Sequence, residues 1–136
     1  MATIKTTYLG NLRTEIEHVQ SGQKIITDAP LDNHGKGEFI SPTDIFTAAY
    51  TSCIFTIMGI AAETHGFSID GISAETTKIM AENPRRVAKI KVAIKMPHNN
   101  YSDKERRIIE AVPRQCPVAN SLHPGLEKEV TFEYPA

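Results

Sequence analysis

Two cysteines, Cys53 and Cys116, are the side chains of this sequence best suited to covalent chemistry. A thiolate can attack an electrophile, be oxidised to a sulfenic acid, or form a disulfide with a second thiol. The N-terminus shows no charged start followed by an apolar segment, so we expect a cytoplasmic protein, where a purely structural disulfide is unusual. The pair is therefore either reactive or two buried, inert thiols, and the residues around each cysteine must distinguish these cases.

Cys116 stands directly before Pro117, at the start of a segment that can form a short helix to about Leu122. A thiol at a helix N-cap faces unpaired N–H groups and the positive end of the helix dipole, and both favour the thiolate. Proline suits the first helical position, where no N–H is needed. The alternative is a small apolar residue that only happens to precede a helix.

Cys53 lies well inside a second, longer helix, and nothing in the neighbouring sequence favours its thiolate. Considered alone, it is more typical of core packing than of a nucleophile. A reactive Cys53 would need a cation from elsewhere in the fold. Arg13 is one candidate, although its position beside Glu15 and Glu17 on one strand face favours a solvated side chain.

The helix that carries Cys53 has clear signals at both ends. Ser41 is a suitable N-cap, Pro42 a suitable first residue, and Asp44 an acid that can complete the cap. His65 and Gly66 predict the end. Residues 45–62 contain no charge, but threonines, a serine and a glycine argue against a membrane span. A helix that is apolar on all sides must be covered on most of them, which predicts a homodimer.

The remaining elements give the order βββ-α-ββ-αα-β, so we expect an α+β fold in a single domain over residues 1–136. The predicted strands cover residues 3–9, 12–19, 24–27, 67–80, 87–96 and 130–134. A capping box at Ser102 and Glu105 predicts a helix to about Val112.

Composition excludes several classes of function. With 15 basic and 16 acidic residues the net charge is −1, which gives no support for nucleic-acid or membrane partners. The five histidines have no metal-site spacing, and there is no phosphate-binding loop or Gly-x-Ser-x-Gly motif. We therefore expect no metal and no bound cofactor.

Two segments together resemble the OsmC/Ohr family. The sequence SPTDIFTAAYTSC, ending at Cys53, is similar to the family's first cysteine segment, and CPVAN, beginning at Cys116, to its Cys-Pro-x-x-Asn motif. The resemblance extends over essentially the whole chain. It implies an OsmC/Ohr-like fold, an intertwined homodimer with long buried central helices wrapped by antiparallel sheets.

The resemblance also implies an activity, the thiol-dependent reduction of organic hydroperoxides. Cys53 would be the peroxidatic cysteine, Cys116 would resolve its sulfenic acid as a disulfide, and an external dithiol, of lipoyl type, would reduce the disulfide. Arg13 is the best match for the family's catalytic arginine. Thr43 stands where the family's hydroperoxidases usually carry the glutamate that orients this arginine, so Asp44 is the candidate replacement, and turnover is expected to be weaker.

Two further functions stay open. The chain could be an OsmC-like dimer that binds a small apolar or electrophilic molecule without turnover, a hypothesis favoured by Thr43 and the apolar helix. It could also exchange disulfides with protein thiols, although the absence of Cys-x-x-Cys argues against this.

Overall fold

A computed structural model describes all residues 1–136, which form two compact units, Met1–Phe46 and Thr47–Ala136. The first unit contains β1 (Ile4–Gly10), β2 (Arg13–His18) and β3 (Lys24–Asp28). Helix α1 (Pro42–His65) begins in the first unit and continues through the second. The second unit adds β4 (Ser73–Ala81), β5 (Arg86–Lys95), α2 (Asp103–Ala111), α3 (Pro117–Ser121) and β6 (Glu127–Glu133). This order confirms the predicted α+β sequence of elements.

Strands β1, β2 and β3 form the predicted antiparallel meander. Gly10, with φ of +88°, starts the first turn, since a side chain is strained in that conformation. Across the second hairpin, Arg13 lies directly opposite Asp28. A 3₁₀ turn over Leu31–Asn33 then leads towards α1, and the Asp28 N–H donates to the carbonyl of Ile40. The meander therefore sets both an arginine–aspartate pair and the entry to α1.

Helix α1 begins and ends where the sequence predicts. The Ser41 hydroxyl accepts from the Asp44 N–H at 3.1 Å, and an Asp44 carboxylate oxygen accepts from the Ser41 N–H at 3.1 Å. This reciprocal pair satisfies N–H groups that the first turn would otherwise leave unpaired. His65 is the last residue, and Gly66 follows with φ of +76°.

The second sheet has the order β4-β5-β6. Strands β4 and β5 are antiparallel, but β5 and β6 are parallel, so the expectation of purely antiparallel sheets is wrong for this pair. The reason is the connection, because α2 and α3 lie between β5 and β6 and form a crossover that returns the chain in the same direction. Alternation along β5 is as predicted, with Ile90, Val92 and Ile94 buried.

The predicted strand over residues 67–80 is too long at its start, because β4 begins only at Ser73. Gly71 adopts φ of +93°, which breaks an extended conformation, and the Ile72 N–H turns back to the carbonyl of Ile69. The Tyr101 hydroxyl donates to the carbonyl of Ser68 at 2.7 Å and fixes this loop. The β-branched residues here fill the core from a loop rather than from a strand.

One stripe of α1 forms the centre of the core in the second unit. Tyr50, Ile54, Met58 and Ala62 recur every four residues and are at most 3% exposed. They share a cluster with apolar residues of β5, with the residue that follows it and with apolar residues of the α2–α3 segment: Ile90, Val92, Ile94, Met96, Ile109, Val112 and Cys116. Cys116 is thus part of the same core as the helix that carries Cys53.

The opposite face of α1 is open, which differs from a helix buried on most sides. Within this single chain only 28% of its most apolar segment is buried, and Ile60 is 56% exposed. By length and mean hydropathy (1.7) the helix could cross a membrane, but its buried stripe is that of a core helix. The homodimer inferred from the sequence stays a prediction.

Candidate active site

Cys116 occupies the predicted N-cap position of α3 and is fully buried. Its Sγ accepts a hydrogen bond from the Ala119 N–H at 3.3 Å, and the Val118 N–H also points at it. Pro117 takes the first helical position. The local geometry is therefore that of a sulfur held by backbone donors at the start of a helical turn.

Cys53 and Cys116 are brought together as free thiols. Cys53 packs against the core cluster that contains Cys116, the Cys53 side chain acts on the ionisation of Cys116, and no disulfide is formed. Cys53 is partly exposed on α1, whereas Cys116 is buried. A pair of neighbouring free thiols, one of them on a partly exposed residue, can be oxidised at the more exposed sulfur and then close to a disulfide.

Burial overrides the helix N-cap in the ionisation of Cys116. Removal from water raises the pKa of the Cys116 thiol above its ordinary value, and the neighbouring Cys53 raises it further. The N–H groups of Ala119 and Val118 lower the pKa but do not compensate. The expectation that Cys116 is an acidic thiol is therefore wrong. The sequence indicates its N-cap position, which lowers the pKa, but not its burial, which raises the pKa more.

Tyr50 is a member of this site that the sequence did not single out. It lies one turn before Cys53 on α1, is 1% exposed, and donates from its hydroxyl to the carbonyl of Pro113 at 3.4 Å. Burial and the neighbouring Cys116 raise the pKa of Tyr50 to about 12. Its spacing from Cys53 was the only signal available, since the contact with Pro113 depends on tertiary packing.

Arg13 in the first unit is held by carboxylates rather than left as a solvated strand side chain. Its Nε and Nη2 donate to the two Asp28 carboxylate oxygens at 2.8 and 2.9 Å, and Nη2 also donates to Glu38 at 3.0 Å. Its guanidinium lies 4.7 Å from the centre of the Phe39 ring. A planar fork held in this bidentate way keeps a fixed orientation.

The carboxylates that orient Arg13 are thus Asp28 and Glu38, neither of which was predicted. Asp28 could have been found from the exact register of the β2–β3 hairpin, whereas nothing in the sequence indicates Glu38. Asp44 instead closes the helix cap with Ser41. A catalytic part for Asp44 or Arg13 stays a prediction.

The Arg13–Asp28 pair predicts a pH-dependent contribution to stability. The hydrogen bonds from Arg13 hold the pKa of Asp28 below its ordinary value of 3.8. A carboxyl whose pKa is lower in the folded state stabilises the fold above its unfolded pKa, and this contribution is lost as the pH falls through the folded value. We expect Asp28→Asn to unfold at a lower temperature than the wild type at about pH 7, and the difference to shrink at about pH 3.

Circular dichroism melting curves at both pH values test this expectation. Glu38→Gln is the matched control, because Glu38 accepts from the same guanidinium but its side chain is 61% exposed, so its removal should matter little. Equal lowering of the melting temperature by the two substitutions at neutral pH would show that the buried Asp28 stabilises the fold no more than the exposed Glu38 does.

Comparison with known proteins assigns this fold to a class. The profile of the OsmC-like protein family matches residues 35–131, which include both cysteines. The chain belongs to the OsmC-like family. No curated protein sequence matches it significantly.

Solved structures agree with this membership. A protein from Psychrobacter arcticus 273-4, named for osmotic stress induction and a detoxification response, is 45% identical, with 98% of this chain and 96% of that chain covered and a TM-score of 0.93. An OsmC-like protein from Mycoplasma pneumoniae is 16% identical over 98% and 96%, with a TM-score of 0.80. The organic hydroperoxide resistance protein OsmC from Legionella pneumophila is 17% identical over 98% of both chains, with a TM-score of 0.73. The last two show the fold alone.

Proposed function

We propose that this protein is a thiol peroxidase that reduces organic hydroperoxides through a cycle between Cys53 and Cys116. The observation that carries the proposal is the neighbouring pair of free thiols with unequal exposure, Cys53 partly exposed and Cys116 buried. Family membership supports it, since the OsmC-like family includes proteins named for organic hydroperoxide resistance.

The unequal exposure of the two cysteines supports the proposed assignment of roles. Cys53 is the more exposed cysteine, so its thiolate attacks the peroxide and the O–O bond breaks. Cys53 becomes a sulfenic acid, and the alkoxide takes up the proton that the thiol released and leaves as an alcohol. Cys116, fully buried beside it, then attacks the Cys53 sulfur, and water leaves as the disulfide forms. An external dithiol, of lipoyl type, returns both residues to thiols by exchange, and no metal or flavin takes part.

The proposal also includes two residues outside the thiol pair, Arg13 and Asp44. Arg13 is the proposed cation of the centre, because Asp28 and Glu38 already fix its orientation. Asp44, which caps α1, is the less favoured of the two predicted assistants. We also propose a homodimer, because one face of α1 is open in the single chain and exposes Ile60, and we propose that the protein is cytoplasmic.

Intact mass spectrometry after one equivalent of cumene hydroperoxide, repeated with hydrogen peroxide, tests the cycle. We expect rapid loss of both thiols and a mass lower by about two hydrogens per chain, faster with the organic peroxide. Free-thiol titration of the same samples is the second measurement. If both thiols persist for minutes, the non-catalytic binding of an apolar or electrophilic molecule becomes the better hypothesis.

A further inference from the structure

Tyr50 and Pro113 link the two cysteine-bearing segments at matching positions. Tyr50 precedes Cys53 by three residues on α1, and Pro113 precedes Cys116 by three residues in the turn before α3. The Tyr50 hydroxyl donates to the Pro113 carbonyl inside the core, so the bond joins the two segments. The segment that carries Cys116 is therefore attached to α1 within one turn of Cys53.

The hydrogen bond itself is long. At 3.4 Å it exceeds the usual range of about 2.5 to 3.0 Å for a hydroxyl donor. A hydroxyl hydrogen can rotate about its C–O bond, so a weakly held one can be redirected to a better acceptor at small cost. The Cys116 sulfur is the candidate acceptor, because it lies three residues after Pro113, shares one buried cluster with Tyr50 and acts electrostatically on the Tyr50 hydroxyl.

Disulfide formation creates this acceptor. When the Cys116 sulfur attacks the sulfenic acid of Cys53, its proton leaves with the hydroxyl of the sulfenic acid as water, and the attacking sulfur carries negative charge. The groups that face it are Cys53 and Tyr50 from α1 and two backbone N–H groups of its own segment. No cationic side chain is among them, so the Tyr50 hydroxyl is the one side-chain donor that can add to the support from the two N–H groups.

We propose that Tyr50 is a positioning residue for Cys116, holding its segment against α1 and turning its hydroxyl from the Pro113 carbonyl to the Cys116 sulfur as that sulfur becomes charged. Tyr50 keeps its own proton throughout, because burial keeps the hydroxyl neutral at working pH. The inference rests on the proposed thiol cycle for its biological setting. The disulfide step can nevertheless be tested without any peroxide.

Tyr50→Phe tests the proposal, since it keeps the buried ring and removes only the hydroxyl. Tyr101→Phe is the matched control, because Tyr101 is also buried (7% exposed) and its hydroxyl also donates to a backbone carbonyl, that of Ser68. Both variants lose one hydrogen bond to a backbone carbonyl, and Tyr101→Phe, which loses the shorter bond, should lose at least as much stability as Tyr50→Phe. Only Tyr50→Phe should change the chemistry of Cys116.

The rate of Cys53–Cys116 disulfide formation is measured by alkylation of quenched samples and intact mass, from about pH 6 to about pH 9. Cumene hydroperoxide is one oxidant and diamide the other, since diamide accepts the two electrons and two protons of the thiol pair and becomes a hydrazine. With either oxidant, Tyr50→Phe should be about tenfold slower at neutral pH, and its rate profile should move to higher pH by about one unit, because the attacking thiolate forms less readily.

Three results would overturn the proposal: wild-type rates in Tyr50→Phe, equal slowing in both phenylalanine variants, or no disulfide from diamide in the wild type. A wild type inert to peroxide but sensitive to diamide, with Tyr50→Phe still selectively slower, would remove the peroxidase function and support the role of Tyr50. The two ideas can therefore fail separately.

Discussion

Cys53→Ser should abolish peroxide consumption, whereas Cys116→Ser should consume one equivalent of peroxide per chain and then stop. The difference follows from exposure, because Cys53 is the partly exposed sulfur and Cys116 lies fully buried behind it. Without Cys53 the peroxide meets no accessible nucleophile. Without Cys116 the sulfenic acid still forms but has no partner thiol in the chain to resolve it.

Serine is a suitable substitute at both positions. At position 116 it retains N-cap capacity, because a hydroxyl oxygen can accept from the Ala119 N–H that now bonds to Sγ. Loss of turnover in Cys116→Ser would therefore report lost chemistry rather than a lost helix start. Dimedone should label Cys53 in this variant after peroxide addition, and consumption is followed by a ferrous oxidation assay. Equal residual activity in the two variants would contradict the assignment of roles.

The raised pKa of Cys116 fits a resolving thiol better than an attacking one. A protonated, buried Cys116 does not compete with Cys53 for the incoming peroxide, and it lies near enough to react with Cys53 afterwards. It needs help only when it attacks, which is the step to which Tyr50 is assigned. The proposed difference between the two cysteines thus depends on packing around α1 rather than on the sequence next to either cysteine.

Local signals were sufficient for much of the fold. The start of α1 followed from Ser41 and Asp44, the capping box of α2 from Ser102 and Glu105, and the N-cap of α3 from Cys116 before a proline. Each depends on residues within three positions of one another, so a single sequence contains all the information needed.

Features set by distant packing could not be read in the same way. The parallel pairing of β5 with β6 depends on how the α2–α3 crossover returns to the sheet. The partners of Arg13 depend on an exact hairpin register and on a loop that brings Glu38 back. Burial raises the pKa of Cys116, against the direction that its N-cap position predicts. This burial depends on the packing of α1 against the α3 segment, which lies far away in sequence.

One face of α1 is left uncovered in the isolated chain, which suggests that it packs against a second chain. Four exposed positions recur along this face, Ala49, Ser52, Thr56 and Ile60. The first three have small side chains. Small residues at such spacing let a second helix approach closely, with Ile60, 56% exposed, as the largest apolar contact. The first unit separately exposes apolar residues of its sheet, Ile4, Tyr8, Leu9 and Ile25. Apolar surface of this extent is typical of an interface.

Ile60→Asp should therefore weaken the proposed homodimer strongly. Placing an unpaired carboxylate in an apolar interface costs several kcal/mol. Because about 1.4 kcal/mol corresponds to a tenfold change, we expect the dissociation constant of the dimer to rise roughly a hundredfold or more. Sedimentation velocity over a range of protein concentrations measures it. The wild type should stay dimeric at micromolar concentration, and Ile60→Asp should dissociate there.

Ile79→Asp is the control for this experiment, because Ile79 is also an exposed isoleucine (39%) but lies on β4, on the sheet face that carries Glu75 and Thr77. It should remain dimeric, since an added carboxylate on a polar face meets water in either state. A wild type that is monomeric at micromolar concentration would contradict the homodimer directly. Dissociation of both aspartate variants would instead show that the charge acts through general destabilisation, and the α1 face would lose its claim to be the interface.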